Sequence, residues 1–153
     1  MRYHNITKDD MLNGEGLRTV LWVAGCSHHC PQCHNPVTWD INGGLVFDEQ
    51  AKEELFEELK KDYVSGVTFS GGDPFHLENR EEIGALAKEI REKFPDKTIW
   101  LYTGYEWEEI CHLSFLSNID VIVDGKFKIE EKDNNLHWKG SANQRVIDVK
   151  ASL

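Results

Sequence analysis

Three cysteines fall within eight residues: Cys26, Cys30 and Cys33, in the run Gly25-Cys26-Ser27-His28-His29-Cys30-Pro31-Gln32-Cys33-His34-Asn35. The spacing is C-x3-C-x2-C, an odd number of thiols. Disulfides and dithiol redox pairs use sulfurs in twos, and a structural zinc site needs a fourth ligand beyond three thiolates. A cubane iron–sulfur cluster held by three thiolates leaves one iron without a protein ligand, and an open iron can bind substrate. The pattern therefore points to chemistry rather than to scaffolding. Gly25 before the first thiol and Pro31 between the last two help a short backbone wrap a cluster.

Two other readings use the same residues. Cys26, Cys30, Cys33 and His34 form a Cys3His set for structural zinc, with His28 or His29 as substitutes. The adjacency of Cys33 and His34 makes joint chelation of one tetrahedral ion awkward. Cys30-Pro31-Gln32-Cys33 is also a C-x-x-C of the dithiol-exchange type, which has no use for Cys26. Cys111 stands alone and reads as a small buried hydrophobe within a helix.

A second group is Ser70-Gly71-Gly72-Asp73-Pro74. Two glycines let another group approach the backbone closely. Exposed carbonyls beside the Asp73 carboxylate suit an ammonium group, although the same residues also make an ordinary turn. Asp124-Gly125-Lys126-Phe127 and Gly140-Ser141-Ala142-Asn143-Gln144-Arg145 are polar runs. Asn143, Gln144 and Arg145 could hydrogen-bond a ribose, a carboxylate or a partner chain.

The elements that must position these groups alternate. Strands are predicted at residues 18–24, 66–70, 98–102, 119–123 and 144–149. Helices are predicted at residues 48–62, with Asp48 as N-cap, at 78–94, and at 107–116. Strands alternating with helices imply βαβ units and a mainly parallel sheet. Five strands are too few for a closed eight-stranded barrel, so the expected fold is α/β, an open, curved partial barrel. Cys26, Gly71-Gly72-Asp73, Thr103-Gly104 and Asp124-Gly125 each follow a predicted strand. Sites in parallel α/β folds gather at the C-terminal ends of strands.

The chain has 153 residues, the size of one domain, and a formal net charge of −10. No Lys/Arg-rich block is present, which argues against nucleic-acid or membrane-surface binding. The longest apolar run, Val20 to Ala24, is far too short to span a bilayer. The polar N-terminus does not resemble a signal peptide, so the expected compartment is the cytoplasm, where clustered thiols serve as metal ligands or redox groups.

The cysteine loop and the strand-end Gly-Gly-Asp together resemble the radical S-adenosylmethionine superfamily. Within it, Asn13-Gly14-Glu15-Gly16-Leu17-Arg18-Thr19-Val20, Cys33-His34-Asn35-Pro36-Val37-Thr38-Trp39, Ser70-Gly71-Gly72-Asp73-Pro74, Tyr102-Thr103-Gly104-Tyr105, Val123-Asp124-Gly125-Lys126-Phe127 and the run from Gly140 to Arg145 occur in order. In that order they resemble the activating proteins of anaerobic (class III) ribonucleoside-triphosphate reductases.

The resemblance implies that Cys26, Cys30 and Cys33 hold a [4Fe–4S] cluster whose fourth iron is chelated by S-adenosylmethionine. It implies that Gly71, Gly72 and Asp73 receive the methionine ammonium, and that Gln32, His34, Asn35, Ser70, Tyr102, Thr103 and Asn143 complete the cofactor site. The implied reaction is one-electron cleavage of the sulfonium. The resulting 5′-deoxyadenosyl radical takes a hydrogen from a glycine of the reductase, and a low-potential donor such as flavodoxin supplies the electron. Many members of the superfamily carry an aromatic residue where this chain has Gln32. The Tyr102-Thr103-Gly104 segment lacks the acidic residue that binds a monovalent cation in the related formate-lyase activator, so no such ion is expected. The nearest alternative within the class is another glycyl-radical client, such as pyruvate formate-lyase. Outside the class it is a zinc-binding scaffold.

Overall fold

The computed structural model describes residues 1–26, 40–133 and 138–153. Among them, β2 (Arg18–Val23), β4 (Gly66–Gly71), β5 (Thr98–Tyr102) and β6 (Val121–Asp124) are the predicted strands, within a residue or two. Their apolar and β-branched residues suit a pleated surface covered on both faces. The helix α1 (Glu49–Leu59) starts where Asp48 accepts the Ala51 amide at 2.9 Å, as its N-cap role predicts. Helix α2 (Arg80–Lys93) presents Ile83, Leu86, Ala87 and Ile90 to the core, on one stripe of a 3.6-residue period.

With β1 (Arg2–Asp10), β3 (Leu45–Val46) and β7 (Arg145–Asp148), these elements form a mixed α/β fold around one open sheet, seven-stranded among the described residues, in the order β3-β1-β2-β4-β5-β6-β7. The central four strands, β2, β4, β5 and β6, are parallel. Alternation along the strands splits the sheet into two faces. Leu21, Val23, Val67, Phe69, Ile99, Leu101 and Ile122 join Leu55, Leu59, Ile83, Ile90, Ile110 and Leu116 in the apolar core under the helices. The other face carries Arg18, Val20, Trp22, Thr68, Ser70, Trp100 and Tyr102.

Arg18 is only 1% exposed on that second face. Its Nε donates to Thr68 Oγ1, one terminal nitrogen to Glu15 O and Thr98 Oγ1, and the other to Val67 O and Thr98 O. All five guanidinium N–H donors are therefore used. Trp100 lies beside it, with the guanidinium carbon 5.6 Å from the ring centroid. Burial lowers the Arg18 pKa to about 10.

Four expectations are corrected. β1 (Arg2–Asp10) and β3 (Leu45–Val46) extend the sheet beyond the five predicted strands. β1 escapes a hydrophobicity reading because Ile6 is its one fully buried residue. The last strand, β7 (Arg145–Asp148), is antiparallel to β6, as is β1 to β2, so the parallel order holds only in the middle. The predicted helix at 107–116 is broken into α3 (Trp107–Ile110) and a 3-10 turn at Ser114–Asn118. Cys111 therefore caps the end of α3 and is exposed, while Ile110 takes the buried position. The chain closes with the short α4 (Val149–Ser152). Among the described residues no helix is long and apolar enough to cross a membrane.

Candidate functional site

The C-terminal ends of the four parallel strands converge as the spacing of motifs implies. Cys26 lies three residues past β2 and is buried. It lines a cavity of about 110 Å³ together with Ser70, Gly71, Gly72, Tyr102, Thr103, Gly104, Gly125, Phe127 and Gln144. Every parallel strand end contributes. A larger hollow of about 970 Å³ opens at the opposite ends of the strands, between Glu15, Ser65, Thr98 and Asp120. Among the described residues no cysteine lines it, and in parallel α/β folds the N-terminal face serves stability rather than chemistry.

Gly71 ends β4 with φ +107°, in the region glycine alone enters freely. A Cβ there would stand 2.5 Å from Val23 O and 2.6 Å from Val23 N. The strand pairing at Val23 thus requires glycine, and it holds the Gly71-Gly72 main chain against the root of the cysteine loop.

Asp73 is 1% exposed and already engaged by the chain. Its Oδ1 accepts from Thr103 Oγ1 at 2.8 Å and from the Phe75 amide at 2.9 Å, and its Oδ2 from the Gly104 amide at 2.9 Å. The carboxylate thus ties the β4 loop to the β5 loop behind the cavity. Its negative charge reaches the cavity through its field, while Gly71 and Gly72 present main chain to it.

The β6 end is held differently. Asp124, also 1% exposed, accepts from the Trp107 amide and from the Arg145 guanidinium, which also grips Glu108. This pairing holds the Glu108 carboxyl at about 2, below its ordinary value. Asn143 donates to Lys126 O and accepts from Ser141 Oγ. Gln144 donates to Gly125 O and accepts from the Gly140 amide, and it is Gln144 that lines the cavity. Tyr102 reaches the cavity from β5. Its hydroxyl is buried with no hydrogen-bond partner among the described residues, and burial raises its pKa.

Gln32, His34, Asn35, Cys30 and Cys33 lie outside the described residues. Sequence reasoning placed Phe127 only within a polar run and did not anticipate the burial of Asn79 or Arg18. Gln144 was in view as a polar loop residue, yet Asn143 was preferred as a cofactor contact. No local signal separates the two neighbours; the turn at Ala142 to Gln144 decides which faces the cavity.

The donor set suits an iron–sulfur cofactor and a charged small molecule. A buried thiol provides a soft ligand, the Gly71-Gly72 main chain lies open to a polar group, and Tyr102 and Phe127 supply aromatic surface. The class defined by this arrangement is an iron–sulfur domain: the family model described as a 4Fe-4S single cluster domain matches residues 12–147. The anaerobic ribonucleoside-triphosphate reductase-activating protein of Enterobacteria phage T4 is 44% identical over 146 residues, covering 95% of this chain and 93% of its own. Those of Salmonella typhi and Escherichia coli K12 are 40% and 39% identical over 150 residues, covering 95% of this chain and 97% of theirs. The chain belongs to the family of anaerobic ribonucleoside-triphosphate reductase-activating proteins.

Proposed function

We propose that this chain is an oxidoreductase that activates an anaerobic ribonucleoside-triphosphate reductase by generating a glycyl radical on it. The observation that carries the reading is the buried Cys26 at the end of β2, facing the Gly71-Gly72 main chain across one cavity. Cys26, Cys30 and Cys33 would hold a [4Fe–4S] cluster as thiolates. When bound, that cluster and S-adenosylmethionine supply one-electron reductive cleavage of a sulfonium and hydrogen abstraction from a glycine of the partner.

The chain's own residues bind and orient. Gly71 and Gly72 meet the methionine end at close range, and Asp73 places negative charge behind them. Ser70, Tyr102, Thr103 and Gln144 line the remainder of the cavity, and Gln32, His34 and Asn35 complete the cofactor contacts. Phe127 and Tyr102 exclude water, which strengthens each electrostatic contact inside. Residues 1–153 act as one radical S-adenosylmethionine domain whose sheet curves into a partial barrel, with its open mouth as the docking face for the reductase. The protein works in the cytoplasm, with a low-potential donor such as flavodoxin, and without nucleic acid or membrane.

Anaerobic reconstitution with iron and sulfide tests the reading. The expected result is a brown protein that, once reduced, releases 5′-deoxyadenosine from S-adenosylmethionine and gives a glycyl-radical doublet with the reductase. A colourless protein with one tightly bound zinc would overturn it.

A further inference from the structure

Three consecutive carbonyls lead into the cysteine loop, those of Val23, Ala24 and Gly25. Each is held by a donor from the connection between β4 and α2. Val23 O accepts from the Gly72 amide at 2.9 Å, and Gly25 O from the Asp73 amide at 2.7 Å. Any residue could supply those two donors. The middle carbonyl, Ala24 O, accepts instead from the side chain of Asn79, whose Nδ2 lies 2.8 Å away. The same Nδ2 lies 3.5 Å from Asp73 O.

Asn79 is unusual for its place. It is the N-cap residue of α2, where an asparagine side chain ordinarily accepts an amide of the first turn. Here its side chain makes no cap hydrogen bond. It is fully buried, and its Oδ1 has no hydrogen-bond partner among the described residues. An uncapped helix start and an orphaned buried carbonyl both destabilise the fold. What the side chain does instead is hold the peptide just before Gly25, which turns at φ +105° to present Cys26.

We infer that Asn79 is a positioning residue for the iron–sulfur site: its amide fixes the root of the cysteine loop against the Gly-Gly-Asp loop, and so sets Cys26 relative to Gly71 and Gly72. This rests on the reading of Cys26 as a cluster ligand, and the test separates the two. Asn79→Ala removes the donor. Asn79→Ser also removes it but keeps a small polar side chain at the same buried position, and α2 starts without a side-chain cap in either case.

The first measurement is amide hydrogen exchange in the metal-free chain, which reads local opening. In both variants the amides of Ala24, Gly72 and Asp73 should exchange about tenfold faster, as the loss of one hydrogen bond predicts. Amides in the middle of α2 should be unchanged in Asn79→Ser. The second measurement is iron release to a chelator from the reconstituted protein, which should quicken about tenfold in both variants. Wild-type exchange at Ala24, Gly72 and Asp73 would overturn the inference. So would loss of protection throughout α2 in both variants, which would make Asn79 a general core residue. A wild-type chain that binds no cluster would sink the proposed function instead, and the exchange result would still decide whether Asn79 fixes the root of the cysteine loop.

Discussion

Thr103 donates its hydroxyl hydrogen to Asp73 Oδ1 over 2.8 Å, joining loops thirty residues apart in the chain. The bond is buried, and the Gly104 amide meets the other carboxylate oxygen beside it. The Gly-Gly-Asp loop is thus built against β5, not only against the cysteine loop. Thr103→Val removes the hydroxyl donor at nearly constant volume. The expected loss is about 1 kcal/mol of stability, with up to tenfold weaker S-adenosylmethionine binding. Calorimetry and equilibrium binding on the reconstituted protein measure both, and wild-type affinity would separate Asp73 from the cofactor site.

Gly71→Ala should be severe despite adding one methyl group. Its Cβ would meet the Val23 main chain at 2.5 Å, and φ +107° is strained for alanine. The backbone must shift, at a cost of about 1–3 kcal/mol. Urea unfolding should show the loss, and cluster uptake should fall with it.

Each of Cys26→Ser, Cys30→Ser and Cys33→Ser should abolish the broad visible absorption of the reconstituted protein. Cys111→Ser should retain it, since Cys111 is exposed at the end of α3. Retained colour in Cys26→Ser would show that this thiol is not a cluster ligand and would overturn the assignment of Cys26 to the cluster.

Arg18→Lys should destabilise by about 1–3 kcal/mol, as for buried acceptors left without a donor. Lysine replaces a planar five-donor fork with three donors at a point, so carbonyls of Glu15, Val67 and Thr98 cannot all be satisfied. Denaturant midpoints of the two proteins give the difference.

Glu108 carries a pH signature. Arg145 hydrogen bonds depress its carboxyl from 4.5 to about 2. A depressed carboxylate stabilises above its unfolded value, and the contribution fades as pH falls through the folded one. The difference in thermal midpoint between wild type and Glu108→Gln should be flat from pH 8 to about 5, then shrink toward about pH 2. A difference that grows on acidification would contradict the pairing.

Much of the framework was legible along the chain because it is local. Ile83, Leu86, Ala87 and Ile90 mark a helix by their period, Asp48 marks its neighbour's start, and Thr98 to Tyr102 is a strand by composition. The motifs after each strand then had to meet, since parallel strands share one C-terminal edge. β1 was hidden because a strand on the sheet's flank, with Ile6 alone fully buried, needs little apolar sequence. Cys111 was misplaced because one residue at a helix end decides between core and solvent.

The spacing of Cys26, Cys30 and Cys33 by itself marked three thiols close enough along the chain to serve one cofactor, and the order of strands and helices determined which residues sit at the strand ends. The tertiary structure alone decided how those ends are braced. Asp73 turns to Thr103, Asn79 reaches back 55 residues to Ala24, and Arg18 is sealed beneath Trp100. A side chain's hydrogen-bond partner depends on which strands become neighbours, and that order follows from burying the whole apolar face at once, which no short stretch of sequence encodes.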